Sequence, residues 1–159
     1  MGIAASDLCQ HVIRPTLLYL GRHSPAAEAL LLGTAASQSA LGSALSCGEG
    51  YGLYRISEDR HRQLWDLHLA RDPDLASLVR GLASQHAFLA APHLELTVNL
   101  RYATAIAWML VESEQAPLPE AHDLHGLART WRQVFQPHGR LRDFLQAWRQ
   151  HVPLAPQAA

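Results

Sequence analysis

The sequence predicts an all-α fold. Apolar residues recur at helical spacing through nearly every segment, and alternating strand patterns are almost absent. Helix-start pairs such as Ser24-Pro25 and Asp72-Pro73, with stop residues such as Gly21, divide the chain into about seven pieces. The stretch Pro92–Glu112 is apolar on most sides, which marks a buried central helix.

In chain order, Ser6 opens a helix over Asp7–Leu20 with Val12, Ile13, Leu17 and Leu20 on one side. Pro15 falls inside it and should kink or end it. Ser24 at the N-cap and Pro25 at the first helical position start the second helix, which runs into the small residues around Gln38. The Gly/Ser stretch 42–52 reads as a loop, and Leu53–Ile56 as a short extended piece. Ser57-Glu58-Asp59 begins the next helix, with acids in its first turn. Asp74–Ala83 follows, with Leu75, Leu78, Val79 and Leu82 inward. After Pro92–Glu112 come helices over Glu120–Phe135 and Arg140–His151, separated by the turn Pro137-His138-Gly139. Residues 1–152 are expected as one domain and 153–159 as a frayed tail.

The 159 residues are 48% hydrophobic and 17% charged, enough for a real core and too apolar for disorder. All 13 basic residues are Arg, against 14 acids, for a net charge of −1. That balance offers no footprint for nucleic acid or an anionic membrane. The longest apolar run, Tyr102–Val111, is about half of what a bilayer span needs. Cys9 and Cys47 are too few for a disulfide framework and are open to two readings, reduced thiols or one bridge; each sits among small apolar residues, which favours a buried thiol over a nucleophile.

Several residues invite chemistry. Glu49 and Glu58 are the carboxylates nearest Gln38 across the Gly/Ser loop, and the simplest readings are a solvated loop acid and a helix-dipole partner. Tyr54, Asn99 and Tyr102 have the groups of a sugar groove, although core packing accounts for them as well. His122, Asp123 and His125 sit at a helix start without a further ligand pair at zinc-like spacing, so no metal and no cofactor is expected. His61 and His68 lie seven apart on one helix and are expected at the surface or half-buried. Trp65, Trp108, Trp131 and Trp148 read as core, with Trp131 also placed to stack on a sugar.

VIRPTL at the start, LLGTAASQSALG, Gly52-x-Tyr54 followed by His61, NLRYATAIA and a Trp131-centred segment occur in one order along nearly the whole chain. In that order and spacing the chain resembles the lysozyme-like transglycosylase proteins of tailed-phage virions, relatives of the soluble lytic transglycosylases and goose-type lysozymes. The resemblance implies a lysozyme-like fold. It matches at Gly33, Thr34, Gly42, Gly52, Tyr54, Asn99, Tyr102, Ala103 and Trp131.

The resemblance also implies a catalytic glutamate at the place held by Gln38. Glycosidic cleavage needs a protonated carboxyl to donate to the leaving oxygen, and an amide cannot replace it. Arg55 and Ile56-Ser57-Glu58 stand where the family carries Gln and Met-Glu-Pro, and Val134-Phe135-Gln136 where it carries His-Tyr-Asn. The implied function is therefore a virion structural protein, in the tail tip or baseplate, with a degenerate site. The expected partners are other tail or baseplate proteins and peptidoglycan. The alternatives are a peptidoglycan hydrolase using Glu49 or Glu58, and a peptidoglycan-binding module without cleavage. The relic groove is expected between Gln38, Tyr54 and Phe135, narrowed by Arg55, with Asn99, Tyr102, Trp131 and Gln136 as further groove candidates.

Overall fold

The computed structural model describes residues 2–45 and 50–153. Cys47, Glu49 and most of the expected tail lie outside the described residues. The architecture is all-α, and among the described residues the only extended pairing is an isolated bridge between Tyr51 and Ile56.

The first helical rod comprises α1 (Ala5–Leu8), a π-helical turn (Cys9–Ile13) and α2 (Arg14–Leu20). Pro15 does not end it. The wider winding lets the Arg14 N–H reach back to the Cys9 carbonyl. Pro15 has no N–H to offer four residues back, and the His11 carbonyl at that position accepts from the Arg101 guanidinium at 3.3 Å. Gly21, at φ 70°, closes the rod in the left-handed conformation.

Helix α3 (Pro25–Ser39) starts as the sequence predicts, with the Ser24 hydroxyl accepting from the Ala27 N–H at 3.0 Å. It is buried along most of its length. Leu53–Ile56 is not extended. It is a tight turn closed by the Tyr51–Ile56 bridge, with Arg55 at φ 50°. Gly52, at φ 78°, lets this turn approach the Leu96 carbonyl so closely that a Cβ there would lie 2.6 Å from the carbonyl carbon.

Helix α4 (Glu58–Gln63) is capped by Ser57 and continues as a π-helical segment (Leu64–His68) and a 3₁₀ turn (Leu69–Arg71). Asp72 caps α5 (Pro73–Leu82), which buries Leu75 and Val79 but leaves Leu78 partly exposed, against expectation. A short helix, α6 (Gln85–Ala90), precedes the expected central helix.

That central helix is broken. Pro92–Leu94 is a 3₁₀ turn, α7 covers Glu95–Val98, and Asn99 leaves the helical region before α8 (Leu100–Ser113). Asn99 is the N-cap of α8, accepting from the Tyr102 N–H at 3.0 Å. From Tyr102 to Val111 every residue of α8 is buried. Helices α9 (Leu124–Val134) and α10 (Leu141–His151) complete the chain. Helices α9 and α10 pack on α3, while α2, α5 and α7 pack on α8, and α3 meets α8 between the two groups. Gly33 allows the close approach of α10, with Phe144 and Trp148 directly over it.

Candidate functional site

Gln38 occupies the last turn of α3, as expected, and is 8% exposed. Its Nε2 donates to the Tyr54 carbonyl at 3.4 Å. The open depression beside it, about 330 Å³, is lined by Ala44 and by Asp143, Gln146 and Gln150 of α10. This is not the expected groove. Tyr54 is fully buried, with its hydroxyl 2.9 Å from Thr104 Oγ1, and burial pushes its phenol well above the ordinary range. Phe135 and Trp131 are core residues; Trp131 packs on Phe144, so no sugar reaches its face. Gln136 is half-buried, and its carbonyl closes the Pro137–Gly139 turn through the Gly139 N–H at 2.9 Å.

Arg55 does not lie across the depression. Its guanidinium donates to the Ala44 carbonyl at 2.8 Å, tying the turn to the end of the α3 region. Asn99 is structural: besides capping α8 it donates to the Leu82 carbonyl at 2.8 Å and to Glu95 Oε2 at 2.9 Å. Asp123 caps α9 through the Gly126 N–H, which accounts for the His122–His125 segment as a helix start. Among the described residues no group of three acidic, His or Cys side chains is placed to hold a metal ion.

Three carboxylates, Glu58, Glu95 and Glu28, are held away from acid duty. Glu58 accepts from the Tyr51 hydroxyl at 2.6 Å, and that bond holds it below the usual carboxylate range. Burial alone would raise Glu95, but bonds from the Ser84 hydroxyl and N–H and from Asn99 outweigh it. At Glu28 burial is likewise outweighed by Arg14 and His23. A general acid near neutrality needs a shift in the opposite direction.

The structure also assembles a cluster that the sequence does not announce. His61, expected at the surface or half-buried, is 1% exposed. Its Nε2 lies 2.6 Å from the Tyr102 hydroxyl, and its Nδ1 lies 2.9 Å from Nδ1 of His93. Trp65 Nε1 donates to the same Tyr102 oxygen at 2.9 Å. One proton ordering satisfies all of them: Trp65 to Tyr102, Tyr102 to His61, and His61 to His93. Burial, then the facing His93, pushes His61 down to about 4, so it is neutral near pH 7. The signal for His61 was its place one helical turn before Leu64 on the inner face; for His93, 32 residues away, there was none.

Comparison with protein-family models, curated proteins and solved structures returns no match for this chain.

Proposed function

We propose that the chain is a lysozyme-like scaffold that does not cleave glycan and serves as a structural component of a phage tail tip or baseplate. The observation that carries the loss of activity is Gln38. Its amide donates to a backbone carbonyl at the end of α3. A carboxyl in that place would meet an acceptor and be favoured in its protonated form, as a glycosidase acid is. The amide keeps the hydrogen bond and gives up the proton transfer, whose loss costs roughly 10²–10⁴ in rate. Glu58 is engaged by Tyr51 and held ionised, so it does not replace the acid. The virion role is supported by the order of the motifs that resemble the phage proteins.

The test is turbidity loss and zymography on purified cell walls with wild type, Glu49→Ala, Glu58→Gln and Gln38→Glu. None should clear the substrate. Gln38→Glu alone is expected to stay silent because Arg55, Ser57 and Gln136 also depart from the family pattern. Clearing by wild type that disappears in Glu49→Ala would replace this reading with a peptidoglycan hydrolase. Detection of the chain in purified particles checks the virion role.

A further inference from the structure

A second concavity, about 290 Å³, shares no lining residue with the depression beside Gln38. One wall carries Arg60, Leu67, His68 and Arg71, and the other carries Leu110 and Glu114 at the end of α8. The first four fall on one face of a continuous helical run, and the π-helical segment Leu64–His68 sits in its middle. Such segments recur where a helix re-aims side chains at a site.

Two groups here are candidates to meet a ligand. The Arg60 guanidinium is partly withdrawn from water, and burial lowers its pKa. Its nearest acid is Glu114, at 4.0 Å, and it makes no side-chain hydrogen bond to any described residue. A guanidinium has five N–H donors to place, and a half-buried one favours an anionic partner. His68 is the second: its Nε2 is shut off from solvent and has no hydrogen-bond partner among the described residues. Of the arginines and acids in the lining, Arg60 and Arg71 face one carboxylate, Glu114, an excess of one positive charge. A monoanion neutralises it; a dianion overshoots.

We propose that this pocket binds a small aliphatic carboxylate, held by Arg60 and Arg71, with its hydrocarbon body against Leu67 and Leu110. Guanidinium and carboxylate match in planar, two-point geometry, and such charge-assisted bonds are about twice as strong as neutral ones. The leucines give an apolar surface beside the charge, as small-molecule sites require.

The test is an NMR titration of the full chain with N-acetylalanine, its neutral amide and inorganic phosphate at matched ionic strength. N-acetylalanine should shift the His68 ring resonances in a saturable way, the amide should not, and phosphate should bind more weakly. Arg60→Gln and Arg71→Gln should each weaken binding about tenfold or more. The His61 resonances report that each variant is folded, and the exposed Arg71→Gln carries the test if Arg60→Gln is not. Equal response to the amide, no saturation, or full affinity in Arg71→Gln overturns the site. Tighter binding of phosphate overturns the carboxylate assignment. Cell-wall activity does not enter either outcome.

Discussion

Acidification should unlock the fold through His61. The imidazole is buried between Tyr102 and His93, and its folded value of about 4 lies below the ordinary 6.5. The unfolded chain therefore takes up a proton that the folded chain refuses. Stability from this group is complete above pH 6.5 and is lost as pH falls toward 4. A gap of that size corresponds to about 3 kcal/mol, of which about 2.5 kcal/mol is gone by pH 4.5. Glu28, Glu58 and Glu95 are held below their ordinary range, so their contributions start to fall away as pH drops through the ordinary carboxylate range and continue to fall below it. The assay is urea unfolding at pH 7.5 and pH 4.5 for wild type and His61→Phe. The variant removes partners of Tyr102 and His93, so it should be less stable at pH 7.5 by about 1–3 kcal/mol. Its loss between the two pH values should be smaller than that of wild type by about 2 kcal/mol. Equal losses in the two proteins would refute a buried, neutral His61.

Other outcomes follow from the same contacts. Gln38→Glu should destabilise by about 1–3 kcal/mol at pH 7.5, where an ionised carboxylate faces the Tyr54 carbonyl, and recover toward pH 5; a pH-independent difference from wild type in urea unfolding counts against that contact. Gly33→Ala places a methyl into the Phe144 ring and within 3.1 Å of Trp148, and calorimetry should show a loss of about 1–3 kcal/mol; an unchanged Tm would mean that α10 is not seated there. Burial, aided by Glu28, pushes the Cys9 thiol up to about 11, so in a Cys47→Ser background its reaction with a disulfide reagent at pH 8 should be about a hundredfold slower than that of a free thiol. A rate equal to free cysteine would place Cys9 in a different environment.

Local signals in the sequence located most of the helices. Ser24-Pro25, Asp72-Pro73 and Gly21 each act through the few residues beside them, so no distant information was needed. Asn99 was missed because hydrophobicity runs straight through it, whereas its side chain reorganises only the backbone around Tyr102. The place of Gln38 at the end of α3 was legible from the helix pattern. Its groove was not, because Tyr54, Tyr102 and Trp131 carry a polar atom and a large apolar body, and sequence alone does not say which end decides. Tyr54 and Tyr102 are drawn inward by partners in Thr104, Trp65 and His61, tens of residues away. Leu53–Ile56 read as extended because Tyr and Ile favour strands, but Gly52 sets a turn that overrides them.

The two π-helical segments, Cys9–Ile13 and Leu64–His68, bear on how this chain tolerates changes of length. A π turn is an α-helix that has absorbed one additional residue while the helix on either side keeps its register. Deleting a single residue inside Leu64–His68 would return the segment to ordinary winding and leave Ser57 and Asp72 still capping their helices. The same deletion inside α8, which is buried from Tyr102 to Val111, would rotate every later side chain by about 100° away from its partners. Single-residue deletions should therefore be absorbed at these two places and rejected in regular buried helices such as α8.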